Sequence, residues 1–235
     1  MLGLYVTGVN QNSDTIIVTA GLSAVMQSLG YSACVYKPVE TGAEEISEAV
    51  VSKDLEFIKY VDPFIKTYST YLLKDKSTPL ISAAAEGVSI KKDRILNEFQ
   101  DIARLHEVLT VDGVSGLASP LNKNFLEQDM IKALELPLLL VVSPKDSSVD
   151  SVLLTINHIK DLQIPFRGVI LNKCPDNIDD ADMKLMPKLI EEYTDANILG
   201  VLPYFEKDLN PNDLINEVLN GIDIEGVFNV SIPKL

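Results

Sequence analysis

Leu4-Tyr5-Val6-Thr7-Gly8-Val9-Asn10-Gln11-Asn12-Ser13-Asp14-Thr15-Ile16 joins an apolar run to a polar loop and then to a long apolar stretch. Leu4 to Thr7 reads as a strand ended by Gly8. Thr15 to Leu29 reads as a helix, with Ile16, Val18, Ala20, Leu22, Val25 and Met26 apolar and a stop at Gly30. The start of such a helix offers free amides and a partial positive charge, which suits an anion.

No charged residue occurs from Thr15 to Tyr36, a stretch of 22 positions. Length alone would let it span a bilayer. Its polar interruptions (Thr19, Ser23, Gln27, Ser28, Ser32) and the break at Gly30 favour a buried helix followed by a buried strand, Ala33 to Tyr36, which halts at Lys37-Pro38. Further along, Val108–Val111, Leu138–Val142, Gly168–Leu171 and Ile198–Leu202 read as strands. Asp93–His106, Val149–Leu162 and Met183–Tyr193 carry amphipathic helical patterns. Near-continuous apolar strands alternating with helices predict an α/β fold, a mostly parallel sheet with helices on both faces. No composition shift divides the chain, so residues 1–235 are expected to form a single domain. In such sheets ligands sit where strand ends meet helix N-termini, here the loops 8–15, 37–42, 112–121, 143–148, 172–178 and 203–210.

The chain has 235 residues with 20 Lys and Arg against 34 Asp and Glu, a formal charge of −14. Such a field repels polyanions, so no nucleic-acid or membrane partner is expected. Cys34 and Cys174 are too few and too far apart for a disulfide framework or a zinc site, and fit a reducing compartment. The N-terminus Met1-Leu2-Gly3-Leu4 has no basic segment of a signal peptide. A cytoplasmic location is the expectation.

Tyr5-Val6-Thr7-Gly8 with its loop and helix, then Gly30-Tyr31, then Tyr36-Lys37-Pro38-Val39-Glu40-Thr41-Gly42, resembles the dethiobiotin synthetase family of P-loop enzymes. Ser77-Thr78-Pro79 with Ala83 to Gly87 continues the likeness, Leu80 replacing a His. So do Val111-Asp112-Gly113-Val114-Ser115-Gly116, Ser119-Pro120-Leu121, Leu136-Pro137, Lys145, Asn172 and Leu202-Pro203-Tyr204. The ordered matches reach to about residue 210. The resemblance implies a homodimer that closes the ureido ring of dethiobiotin from 7,8-diaminopelargonate, CO2 and ATP with Mg2+.

The phosphate loop departs from the family's G-x-x-x-x-x-G-K-T pattern. With the spacing from Gly8 to Lys37 kept, Asp14 stands at the second Gly, Thr15 at the Lys and Ile16 at the metal-binding Thr. A one-residue slip sets Ser13-Asp14-Thr15 against G-K-T. Either register loses the lysine, and no Lys or Arg precedes Lys37. Losing one preorganised donor to a developing oxyanion costs about 3–4 kcal/mol, or roughly 100–1000-fold in rate. A second departure is Asp146-Ser147-Ser148-Val149-Asp150-Ser151, where the family carries a substrate-carboxylate loop; Asp146, Ser147 or Ser148 also reads as a helix N-cap.

Carried onto this sequence, the resemblance makes Lys37 the catalytic residue, steadying carbamate and phosphoryl oxygens. It makes Asp54 and Asp112 the Mg2+ ligands, hard oxygen donors suited to that ion. Nucleotide would meet Asn12, Ser13, Asp14, Thr15, Ile16, Asp112, Gly113, Val114, Ser115, Asn172, Pro203 and Tyr204. The small-molecule substrate would meet Gln11, Thr41, Ser147 and Asp150. Thr41 also reads as a turn residue before Gly42, and Asn172 as an Asx turn before Pro175. Tyr60, Tyr68 and Tyr71 read as core or dimer-contact aromatics. His106 and His158 fall in helical patterns without a nucleophile at motif spacing, and read as packed or solvated positions. The missing lysine leaves a different class of function open, a non-catalytic binding or regulatory module on the same scaffold; a related ligase with another amine substrate is a further alternative.

Overall fold

The structure, a computed structural model, describes residues 1–175, 180–205 and 209–232. It begins with β1 (Leu2–Gly8), a single 3-10 turn (Gln11–Ser13) and α1 (Thr15–Ser28), then β2 (Ala33–Thr41). A hairpin of β3 (Glu44–Ile46) and β4 (Ala49–Val51) leads to α2 (Lys53–Val61) and β5 (Lys66–Leu73). After α3 (Pro79–Ala85) and α4 (Lys92–Ala103) come β6 (Val108–Asp112), a second hairpin of β7 (Pro120–Asn122) and β8 (Phe125–Leu126), α5 (Glu127–Leu134) and β9 (Leu138–Val142). The remainder is α6 (Val149–Asp161), β10 (Phe166–Cys174), α7 (Ala181–Thr194), β11 (Ile198–Pro203), α8 (Pro211–Gly221) and α9 (Ile224–Phe228).

Among the described residues seven strands form one sheet in the order β11-β10-β9-β1-β6-β2-β5, every pair parallel. Alternation along each strand sends side chains to two cores. Leu4 and Val6 of β1 join Val18, Leu22 and Val25 of α1 and Leu214 and Val218 of α8 on one face. Tyr5 joins Phe99 of α4, Ile131 of α5, Ile156 of α6 and Ile190 of α7 on the other. Burial on both faces explains the unbroken apolar runs of β6 and β9, and full burial of each such side chain contributes about 1.5–3 kcal/mol. Gly21 is required where α1 crosses α8, because a Cβ there would lie 2.5 Å from Val218 Cγ2.

The uncharged stretch divides as its sequence suggests, into α1 and the start of β2. Among the described residues no helix is long and apolar enough to cross a membrane.

Two expectations are corrected, and one strand was not anticipated. The second strand does not halt at Lys37-Pro38 but runs on to Thr41, because β5 pairs with it from Cys34 through Thr41, so 37–42 is not a loop. The unanticipated strand is β5: Lys66–Leu73 lies at a sheet edge with half of its residues only partly buried, so its Thr, Ser and Tyr residues replace an apolar run. The helix expected to reach His106 ends at Ala103. His106 lies in the connection to β6, bonded to Ser32 Oγ (3.1 Å) and the Tyr68 hydroxyl (2.9 Å). Helix α8 had a legible start, with Asn210 capping Asn212 N–H at 2.9 Å and Pro211 at the first helical position. Residues 176–179 and 206–208 of the expected loops 172–178 and 203–210 lie outside the described residues.

Candidate nucleotide and phosphate site

The loop between β1 and α1 is built from its own polar side chains. Asn10 Oδ1 accepts from Asn12 N–H at 2.9 Å, and Asn10 carbonyl accepts from Ser13 N–H at 3.2 Å, closing the 3-10 turn. Asp14 then takes φ 51°, ψ 54°, a left-handed conformation that favours glycine. That agrees with the ungapped register, which sets Asp14 against the second loop glycine. Thr15 and Ile16 follow, half-buried in the first turn of α1.

Neighbouring strand ends clamp this loop. Asn10 Nδ2 donates to Asp146 O (3.0 Å) and Ser147 Oγ (3.3 Å) in the loop after β9. Asn172, buried near the end of β10, donates from Nδ2 to Ser13 O (3.0 Å) and Asp14 O (3.2 Å). Lys173 Nζ donates to Asn12 O at 3.0 Å and pairs with Asp14 Oδ2 at 2.6 Å. Two carbonyls fix which end of the Asn172 amide is nitrogen, so Oδ1 is the remaining acceptor. That oxygen is buried without a partner. Asn172 belongs to the wall of a cavity of about 280 Å³ shared with Ile17, Phe57, Tyr204 and Phe205. Pro203 closes β11 just before Tyr204, whose N–H donates to Cys174 O at 3.1 Å.

Lys37 lies in the middle of β2, only 5% exposed. Its Nζ sits 2.5 Å from Asp112 Oδ2 and 2.8 Å from Asp54 Oδ2, and 3.4 Å from Gly113 O. Asp112 ends β6, fully buried, and also accepts from Thr19 Oγ1 of α1 at 2.9 Å. Asp54 stands in the first turn of α2, whose N-cap Ser52 accepts from Leu55 N–H. Burial pulls the Lys37 pKa down, but Asp112 and Asp54 outweigh it and hold the ammonium well above the ordinary lysine range. Glu40 is buried nearby and accepts from the Ser52 hydroxyl; burial raises its carboxyl above the usual value.

Asp54 and Asp112 therefore converge on the Lys37 ammonium from different elements, and Asp54 is 36% exposed. Mg2+ takes one or two carboxylates and keeps several waters, so this donor pair fits it. Among the described residues no three His, Cys, Asp or Glu side chains surround a common point, so water would complete the coordination.

Glu127 escaped the sequence reading. It is fully buried at the start of α5. Its Oε1 accepts from Tyr5 (3.2 Å), Thr7 (2.9 Å) and Val114 N–H (3.1 Å), and its Oε2 from Ser115 N–H (3.1 Å) and Gly116 N–H (3.2 Å). Five donors on one side chain suit an acceptor-only carboxylate. Burial raises its pKa against the pull of those donors. The loop after β6 is thus wrapped round a carboxylate, and a Cβ on Gly113 would fall on Glu127 Oε1. Nothing in its local sequence marks Glu127, which opens a short amphipathic helix.

Gly113, Val114 and Ser115 so held, with Gly8, Gln11, Asp14 and Thr15, line a cavity of about 20 Å³ at the start of α1. On the far side of the loop, Gln11, Asn12, Thr78, Ser115, Ser119 and His158 line a larger cavity of about 680 Å³. Ser119 Oγ is buried there without a partner. Ser147 is buried against Asn10, whereas Asp150 is exposed in the first turn of α6, its carboxyl held below the usual range by the Ser148 hydroxyl. Thr41 ends β2 half-buried, opposite Leu73. The thiols lie outside this chemistry: burial pushes Cys34 up to about 12 and Cys174 up to about 11.

The profile of the AAA_26 family, described as an AAA domain, matches residues 2–212. The ATP-dependent dethiobiotin synthetase BioD of Bacillus subtilis (strain 168) is 28% identical over 206 residues, covering 86% of this chain and 87% of the relative. The same enzyme of Thermodesulfovibrio yellowstonii is 26% identical over 238 residues, covering 97% and 99%. Among solved structures, the cell division ATPase MinD of Pyrococcus furiosus superposes with a TM-score of 0.56 at 16% identity, covering 98% of this chain and 93% of that one. The fold is the α/β P-loop NTPase fold.

Proposed function

Because the chain belongs to the AAA_26 family of AAA domains, we propose that it is an ATP-dependent carbon–nitrogen ligase of the dethiobiotin synthetase type. The observation that carries the nucleotide half of this reading is Asn172, a wall residue of the cavity beside the start of α1 whose buried Oδ1 has no partner. An acceptor there suits the exocyclic amine of adenine, with Tyr204 and Phe205 as apolar wall. The amides at the start of α1 would then meet the phosphates, those of Asn12 and Ser13 being already bonded to Asn10. The ligase half is supported by the dethiobiotin synthetase relatives.

In this reading one amine of 7,8-diaminopelargonate adds to CO2 as a carbamate. A carbamate oxygen takes the γ-phosphoryl group of ATP, releasing ADP. The second amine attacks the carbamoyl carbon, phosphate leaves, and the cyclic urea closes. Lys37 holds charge on the carbamate and phosphoryl oxygens as it develops, kept cationic by Asp112 and Asp54. Asp54 and Asp112 would hold Mg2+, which neutralises phosphate charge when bound. Gln11, Thr41, Ser147 and Asp150 stand as substrate contacts; of these Gln11 lines the cavity of about 680 Å³, which has room for the diamine. A single domain, a homodimer and a cytoplasmic location complete the proposal.

Calorimetric titration with ATP and Mg2+, followed by an assay of diaminopelargonate-dependent ADP release, tests it. Binding together with release is expected. No binding at millimolar nucleotide would leave a non-catalytic module; binding without release would point to another amine substrate.

A further inference from the structure

We propose that Lys173 is the cation of the phosphate loop, supplying from the end of β10 the positive charge that the loop's own sequence lacks. The inference rests on the nucleotide-binding reading above and adds a residue to it. Residues 1–36 contain no Lys or Arg, and Asp14 and Thr15 occupy the positions where glycine and lysine are expected. An aspartate at that point repels a polyphosphate. Lys173 meets that charge directly: its Nζ is 2.6 Å from Asp14 Oδ2, 3.9 Å from Asp146 Oδ2 and 3.0 Å from Asn12 O. Its side chain is 21% exposed and belongs, with Asp14 and Asn172, to the wall of the same cavity of about 280 Å³. Its backbone is left-handed, φ 59°, a conformation costly for a lysine and sustained where surrounding contacts hold it.

Lys37 is the other basic residue argued into the site, and two carboxylates already satisfy it. Lys173 has one close carboxylate, and that one is half-exposed. A lysine ammonium on its flexible stem exchanges partners readily. Without nucleotide it neutralises Asp14. With nucleotide, a phosphate oxygen takes the place of the Asp14 carboxylate as its partner, and the loop presents a cation to the phosphate while Lys173 and Asp14 together stay neutral. Asn172 and Lys173 would then read the two ends of one ligand, base and phosphate, from consecutive positions of one strand.

The test compares Mg-ATP, Mg-ADP and adenosine by competition binding to the full chain and to Lys173→Met and Lys173→Arg. Lys173→Met is expected to weaken ATP and ADP about 10- to 100-fold, the worth of a charge-assisted hydrogen bond, and adenosine little. Lys173→Arg is expected to retain most of the polyphosphate affinity. A measurement on the unaltered protein covers a Lys173→Met chain that fails to fold: ATP and ADP, but not adenosine, should protect Lys173 from amine acylation read by mass spectrometry. An unchanged ratio of ATP to adenosine affinity in Lys173→Met, or equal acylation of Lys173 with ATP bound, overturns the assignment while leaving nucleotide binding intact. Failure of the unaltered protein to bind ATP overturns both readings together.

Discussion

The Lys37 ammonium and the Asp112 carboxylate lie 2.5 Å apart at the carboxyl end of the sheet, joined from neighbouring strands and shielded from water. Each makes the other tolerable in the interior. Lys37→Met would leave Asp112 buried without its cation, which costs about 3–5 kcal/mol. The expected outcome is a lower urea midpoint together with loss of ADP release. A variant of unchanged midpoint would show that the pair is not formed in solution.

Glu127 offers a second stability probe. Glu127→Gln puts an NH2 group where backbone N–H donors already point, leaving at least one buried donor unmet. A loss of about 2–4 kcal/mol is expected, with weaker nucleotide binding because the loop holding Gly113 to Ser115 slackens. Chemical denaturation beside ATP titration checks both; full stability in the Gln variant would argue against the amide cradle.

Glu40 gives a pH dependence. Its folded pKa is raised, first by burial, against the pull of the Ser52 hydroxyl. A raised carboxyl contributes stability that is complete below its unfolded value and disappears as pH rises through the folded one. Glu40→Gln should therefore match the unaltered protein at acid pH and exceed it in stability at neutral pH. Denaturant midpoints between pH 4 and pH 7 decide, and a gap that widens toward acid would reverse the assignment.

Asn172 separates shape from chemistry. Asn172→Asp turns a carboxylate oxygen toward the Ser13 and Asp14 carbonyls that now accept from Nδ2. Nucleotide affinity is expected to fall further in Asn172→Asp than in Asn172→Ala, through repulsion as well as a lost bond. The opposite order would mean that the amide is not held as described.

Thr15→Lys combined with Asp14→Gly rebuilds the missing loop. Glycine relieves the left-handed backbone at residue 14, worth about 1–2 kcal/mol, and removes a negative charge. ATP is expected to bind about 10- to 100-fold tighter than to the unaltered chain, the scale of one charge-assisted contact. Unchanged affinity would speak for the slipped register.

Much of this was legible in the chain itself. Strand–helix alternation follows from local periodicity and from the need of a doubly covered strand to be apolar throughout, so the parallel sheet and the loop at Gly8 could be read directly. The absent lysine needs no structure at all. What escaped was nonlocal: β5 is an edge strand whose exposed side dilutes the pattern, and the length of β2 depends on it. Lys173 bears on Asp14 only because β10 enters the sheet two strands from β1. Glu127 finds two of its five donors, Tyr5 and Thr7, across more than 100 residues of chain. Sequence determined the fold and the missing charge, because backbone sterics and apolar spacing act over a few residues. The order of strands in the sheet decided which charges meet, because ion pairs and buried carboxylates answer to distance in space and leave no periodic mark along the chain.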